Sequence, residues 1–583
     1  MDTYALAQRR LLAKMISELS WEELLDPTGG PQFELILASG ATYRFEAVRR
    51  IWDNLDIDAA SIRVAGGGTP CPLSFVIDAR DELGMTPATE AMFLRELSNT
   101  LQQDQQMLSE SRHLTAAELI QLPIPALHAQ LNGHPKAVAN KGRLGWGVDD
   151  LTRYAPENMA PIQLFWIAAD RTMLRIGGSI DFDADDALDA ALGDHAKTLR
   201  QTAASKGVAD THVLIPLHPW QWTHTIQQSF VGEIASGRIV PLGLHGPDFT
   251  ATPSLRTLTP VGGGAFDIKL SLGILNTSAW RGMPGKYIAH GGAISDWLEG
   301  VVTNDPVLSP RVTVLKEVAG YWYAHPQFQA NPEAPYRHHE MLGAIWRQNA
   351  EHLAGSDRQA VMAAALFHED AVGCPLALAW AEQSGLCIQD WLSKLFEVTV
   401  LPLWHFLCQY GVGFIAHGQN VTVILDKGVP VGLAIKDFQG DLDLVDQNFD
   451  QMSGLDPAIR DLLPRKPPAY IVHDIQTAHF ITVLRFLSAG LAGADAIEEG
   501  EFYQILAQVL HRYAEHHPAL TDRFELFDLF AAKMPKVCIN RVRLAIGYDD
   551  SAQRPLPVRG RDLYNPLSDP EVVSHLKPVF CEG

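Results

Sequence analysis

Apolar residues recur at helical spacing from the start of the chain. Over 5–19, Leu11, Leu12, Met15, Ile16 and Leu19 fall on one face. The same spacing predicts a long helix over 88–111. It predicts another over 500–514, where Phe502, Ile505, Leu506, Val509, Leu510 and Tyr513 form the apolar face. Thr115 followed by Glu118 has the form of a capping box. The apolar segment 388–410 contains Pro402, which removes a backbone donor and crowds the turn before it, so a kinked helix is expected. The run Ala65-Gly66-Gly67-Gly68-Thr69-Pro70 and the Pro/Gly clusters at 241–253, 303–310 and 325–336 mark loops or boundaries. Neither an internal repeat nor a low-complexity tract is found.

Two stretches break this helical texture. From Ser254 to Ser271, polar and apolar residues alternate around Gly262-Gly263-Gly264, which predicts a β-hairpin. Its midpoint sets Arg256 across from Lys269, and the period of two puts Ser254 and Arg256 on one face. Facing cations repel. The pair is therefore either solvated or an anion site. From His417 to Asp441, two apolar strands flank an Asp426-Lys427-Gly428 turn. The turn lies midway between His417 and Asp437, so an antiparallel pair brings them together, with Gln419 and Asn420 alongside. Polar groups at the end of an apolar hairpin need partners. They either satisfy one another or receive a nucleotide phosphate with Mg²⁺, since carboxylate and amide oxygens suit the metal and His or Lys suits phosphate oxygens.

Composition narrows the partners. The chain has 583 residues, room for about three or four units at ~150 residues each. Apolar residues make up 47% and charged residues 20%, which excludes intrinsic disorder. A net charge of −22 argues against nucleic acid and against an anionic membrane surface, both of which call for a basic face. It leaves room for small anions, because a cationic pocket can sit inside an acidic protein. Six cysteines without a CxxC pair suggest neither a disulfide framework nor a zinc site. There is no run of 18 apolar residues, and no apolar core follows Arg9, Arg10 and Lys14, so neither a membrane span nor a secretory signal is expected. The expected compartment is the reducing cytoplasm.

Several chemistries lack their motif. No P-loop, Rossmann glycine spacing, H-E-x-x-H or G-x-S-x-G is found. His338-His339-Glu340 is dense, but adjacent histidines on a helix point apart. His218, before Pro219 and near Trp220 and Trp222, reads as packing. His134, Lys141 and Arg143 form a cationic, hydrogen-bonding loop suited to carboxylates.

An ordered set of segments resembles the IucA/IucC family, the NRPS-independent siderophore synthetases, and its aerobactin synthase branch in particular. The set runs from Gly133-His134-Pro135 through Lys141-Gly142-Arg143 to Tyr154-Ala155-Pro156-Glu157 and His218-Pro219-Trp220-Gln221-Trp222. It continues through Ser254-Leu255-Arg256-Thr257, Lys269, Arg281, Ala334-Pro335-Tyr336-Arg337, His417-Gly418-Gln419-Asn420, Lys436-Asp437 and Val483-Leu484-Arg485-Phe486. The resemblance implies an α+β, multi-domain cupped hand with a hairpin-lined ATP cleft. Its thumb would span 1–185, its fingers 186–390 and its helix-rich palm 391–583. It implies adenylation of a carboxylate by ATP, then capture of the acyl-adenylate by an amine, hydroxylamine or alcohol, with release of AMP and pyrophosphate. On that resemblance Ser254, Arg256 and Thr257 bind triphosphate, with Gln419 and Asn420 beside it. Lys269, Arg281 and His417 contact phosphates and stabilise charge, Asp437 holds Mg²⁺, and Arg485 and Lys536 match palm positions that touch substrate. A homodimer is also implied. The chemistry agrees, because an anion attacking a polyanion needs preorganised cations.

Two positions depart from the family pattern. Many members carry a Glu two residues before the His of the hairpin, where this chain has Ile415, and citrate-adenylating members often carry a second His where it has Ala137. Both departures fit the branch that acts on an already monosubstituted acid. Two other readings compete. A small-molecule phosphotransferase is loosely echoed by the His417–Asn420 run with Asp437, but Gln419 stands where a catalytic Asp is needed. The last third also resembles ferric-reductase domains in outline, although its cysteines lack a cluster spacing.

Overall fold

The computed structural model describes residues 2–110, 114–277, 279–547 and 558–568. The first helix is Thr3–Trp21, capped by the Asp2 side chain accepting from the Tyr4 N–H. It buries the expected face against the Pro87–Glu110 helix and a small sheet carrying Phe33, Leu35, Tyr43 and Phe45. Thr115 and Glu118 form the expected capping box; the Thr115 N–H donates to Glu118 Oε2 at 2.8 Å.

The middle of the chain builds an eight-stranded antiparallel sheet. Its order is Leu174–Gly178, Glu317–Tyr323, Gly343–Gln348, Phe266–Leu270, Thr257–Pro260, Ile239–Ala251, Ile162–Asp170 and His212–Leu217. A second, four-stranded sheet joins Val312–Val314, Val429–Ile435, Val421–Asp426 and Arg358–Met362. The Lys427-Gly428 turn of its hairpin has positive φ at both residues, the form that matches strand twist. A Cβ at Gly428 would lie 2.5 Å from the Trp380 carbonyl oxygen, so glycine is required twice over.

The last third is mostly helical. Glu499–His516 buries Phe502, Tyr503, Ile505, Leu506, Val509 and Leu510, each worth roughly 2 kcal/mol of apolar burial. The segment around Pro402 does break. Ile388–Val398 ends and Val400–His405 begins at Thr399, where φ is −112° and ψ −71°. The break falls three residues before the proline, where its ring crowds the preceding turn. Pro468–Gly493 is long and apolar enough to span a membrane, with mean hydropathy 1.2. In its most apolar window 72% of the residues are buried inside the protein, so it is a core helix here.

The expected boundaries do not coincide with separate cores. A division at 185/186 cuts the eight-stranded sheet, which already holds Ile162–Asp170 and Leu174–Gly178. The C-terminal core also takes in Trp21, Trp52, Leu119, Leu127 and Leu298 from far upstream. Side chains distant in sequence close that core, so composition along the chain does not mark its edges.

Candidate active site

The two hairpins meet at one cleft. Its walls include Ser254, Thr257, Arg347, Gln419, Lys436 and Asp437.

The first hairpin differs from its expected register by one residue. Thr257, not Arg256, lies opposite Lys269, and Arg256 precedes the strand with its carbonyl accepting from the Leu270 N–H at 2.8 Å. Ser254 and Arg256 therefore share no strand face. Residues 252–257 form a closed loop instead, with the Thr252 N–H donating to the Thr257 carbonyl at 2.9 Å and the Ser254 Oγ accepting from the Thr257 N–H at 3.0 Å. Leu255 sits at φ 69°, an unfavourable conformation for a branched residue. Its side chain is buried with Trp146, Trp220, Leu272 and Ile274, and that packing holds the strained loop.

The second hairpin ends as expected. Val421 pairs with Ile435, so His417 and Asp437 leave the sheet at the same end. His417 Nδ1 accepts from the Gln419 N–H at 3.3 Å, which leaves the ring proton on Nε2. Burial lowers its pKa against the pull of Asp441 and Asp437, so the ring is neutral. Asn420 Nδ2 donates to the Ile415 carbonyl at 3.1 Å and to Asp441 at 2.8 Å, so Asn420 secures the turn. Asp437 sits at φ 72°.

A chain of charges crosses the cleft. Lys269, 6% exposed, donates to Asp437, and Arg347 lies 3.8 Å from the same carboxylate. Burial opposes ionisation of Asp437, but Lys269 and Arg347 outweigh it and hold the group well below the usual carboxylate range. Burial lowers the pKa of Lys269, while Asp437 raises it. Burial, with Arg347 nearby, brings Lys436 down to about 8. Arg281 donates to the Asn276 carbonyl at 2.8 Å and to Thr277 Oγ1. Its charge lowers the pKa of both His134 and His417, so it lies within electrostatic reach of both.

The remaining expected site residues are placed differently. His134 Nδ1 accepts from the Ala137 N–H at 3.1 Å as a turn cap, and its ring stays within the field of His417 and Arg281. Lys141 is buried on Asp104 at 2.7 Å, and Arg143 on Glu157 at 2.6 Å and Gln103 at 3.3 Å. These two brace the loop that carries His134, and protein carboxylates occupy them where a substrate carboxylate was expected. Arg485, fully buried, donates to Glu18 Oε1 at 2.7 Å, and Lys536 donates to the Trp21 carbonyl at 2.6 Å. Both pack on the Trp21 ring at 4.8 Å, with Lys136 Nζ at 3.6 Å from its centroid. They tie the first helix to the C-terminal core and do not line the cleft. The reason is that Glu18 and Glu23 supply Arg485 and Lys536 with the anions that a substrate was expected to bring. His218 caps the Pro219–Gln221 turn and packs on Tyr154, as its packing reading required.

Three participants were not assigned from sequence: Arg347, Lys436 and Glu317. Lys436 adjoins Asp437, and that adjacency was the available signal. Arg347 and Glu317 sit in wholly or mostly buried strands whose apolar neighbours give no hint of a charge cluster.

Comparison with known proteins now adds to this geometry. Residues 126–368 match the IucA / IucC family, and residues 389–552 match a domain described as ferric iron reductase FhuF-like transporter. The chain is 40% identical over 566 residues to an aerobactin synthase of Escherichia coli, covering 96% of this chain and 97% of that one. It is 35% identical over 570 residues to the rhizobactin siderophore biosynthesis protein RhbF of Rhizobium meliloti, covering 96% and 95%. The structure of aerobactin synthetase IucC from Klebsiella pneumoniae superposes with a TM-score of 0.88 at 37% identity, covering 97% of this chain and 98% of that one. Fold and cleft are those of a ligase that forms C–N bonds in siderophore biosynthesis. The chain belongs to the IucA/IucC family of siderophore synthetases, and it resembles the aerobactin synthase branch over nearly its whole length.

Proposed function

We propose that this enzyme adenylates a carboxylate with ATP and condenses it with an amine or hydroxylamine, releasing AMP and pyrophosphate. The acid is a citrate monoamide or a comparable substituted acid. The observation that carries this reading is the gathering of Arg256, Lys269, Arg347 and Lys436 around ionised Asp437, with neutral His417 and Arg281 beside them, at a cleft that Arg347, Lys436 and Asp437 line. Ser254 and Thr257 receive triphosphate oxygens at the closed loop. Lys269 exchanges Asp437 for a phosphate oxygen, and Arg281 faces the attacked phosphorus beside His134. His417 donates through Nε2.

Asp437 fits Mg²⁺: it is anionic, oxygen-bearing and set at the mouth of the phosphate site. With Ile415 in place of a second carboxylate, Asp437 would hold the ion together with groups the protein does not supply. When bound, such an ion would supply Lewis-acid charge neutralisation to the phosphates. The cupped-hand arrangement of thumb, fingers and palm, a cytoplasmic location and a homodimer belong to the same reading.

The test is a substrate panel scored by pyrophosphate release. A citrate monoamide with an N-hydroxy-N-acyl diamine acid is expected to support turnover, and free citrate to be poor. ADP in place of AMP would move the enzyme to the phosphotransferases. Robust AMP formation with free citrate would reverse the choice of acid.

The Lys436 charge predicts a pH effect. Its pKa lies near 8, so its positive charge is present below that pH and lost above it. The kcat/KM for ATP, which reports the free enzyme, is expected to fall as pH rises through about 8. A Lys436→Met variant should start lower and lose that inflection.

A further inference from the structure

We propose that Glu317 is a positioning residue, holding Lys269 and Arg347 in aim when Asp437 leaves them for metal-bound nucleotide; the proposal rests on the nucleotide reading above. Glu317 is 1% exposed. It lies directly opposite Arg347 in the eight-stranded sheet, and Asp267 lies opposite Arg347 from the next strand. Glu317, Arg347 and Asp267 thus form one row across three strands. Lys269 follows Asp267 by two and shares its face.

The environment of this carboxylate is built closely. Its backbone N–H donates to Ser295 Oγ at 3.0 Å. Its Oε2 accepts from Gln439 Nε2 at 2.8 Å, and Gln439 is two residues beyond Asp437. Its Oε1 is buried and has no hydrogen-bond partner among the described residues. A Cβ at Gly291 would lie 2.6 Å from Glu317 Oε2 and 3.1 Å from Gln439 Nε2, so glycine there makes room for the pair.

An incompletely bonded buried carboxylate is costly unless cations compensate it. The charged groups facing it are Lys269, Arg347 and Asp437. While Lys269 is paired with Asp437, Glu317 is a second anion behind the pair. Once Asp437 turns to the metal, Glu317 is the counter-charge that remains, and its bond to Gln439 steadies the segment that carries Asp437.

The test compares wild type, Glu317→Gln and Gly291→Ala as full-length proteins, measuring pyrophosphate release with Mg-ATP. Glu317→Gln is expected to lower kcat about tenfold with little change in the KM for ATP, the signature of an interaction made beyond ground-state binding. Gly291→Ala displaces the carboxylate without removing its charge and should lower kcat in the same way. It carries the test if Glu317→Gln fails to fold. Wild-type kcat in a folded Glu317→Gln, or wild-type kcat in a folded Gly291→Ala, overturns the proposal and leaves the nucleotide reading standing. Wild type that releases no pyrophosphate overturns both.

Discussion

Pyrophosphate release falls by on the order of 10²–10³-fold in Lys269→Ala, while the far-UV circular dichroism spectrum stays that of wild type. The proposed reaction brings a carboxylate against a triphosphate, and water-excluded, preorganised cations are what would offset that repulsion. Lys269 is 6% exposed and held by Asp437, so it needs little reorganisation before it meets a phosphate. The fold should survive because Arg347 stays 3.8 Å from Asp437 and continues to compensate that buried charge. Arg281→Ala should behave similarly, since bonds to the Asn276 carbonyl and Thr277 hold its guanidinium in place. Undiminished release from Lys269→Ala would remove this cleft from consideration as the adenylation site.

Arg485→Ala, in contrast, loses stability. Removing one partner of a buried ion pair costs about 3–5 kcal/mol, because the other charge is stranded. Here the stranded group is Glu18, itself 3% exposed, and the Trp21 ring also loses a cation stacked on it. The transition that separates the first helix from the C-terminal core should move to lower temperature or urea concentration. At low temperature the folded fraction should keep the wild-type KM for acid and amine. Unchanged stability with a raised KM would return Arg485 to substrate binding.

Much of this site was legible residue by residue. The His417–Asp437 hairpin could be drawn from two apolar strands about its Asp426-Lys427-Gly428 turn, and the register shift between Ile424 and Leu425 still leaves both residues at one end of the pair. The glycine-centred hairpin was legible as an element but not in register. Its end at Ser254–Arg256 folds into a loop, and what holds Leu255 at positive φ is a cluster of Trp146, Trp220, Leu272 and Ile274 drawn from distant segments. Long helices were placed within a few residues because their apolar period repeats many times.

Charged residues divide along the same line. Lys141, Arg143, Arg485 and Lys536 carry the right chemistry for a carboxylate, and sequence cannot tell a ligand's carboxylate from that of Asp104, Glu157, Glu18 or Glu23. The pairing depends on which segments pack together, and those partners lie as far apart as Glu18 and Arg485.

The sequence by itself determined the long helices, the turn chemistry and the family, because each rests on residue order alone. The tertiary structure decided which cations are committed to internal anions and which converge on the cleft. It also brought Glu317 and Arg347 behind Lys269. Charges act through space over a few ångströms, and only the folded chain sets those distances.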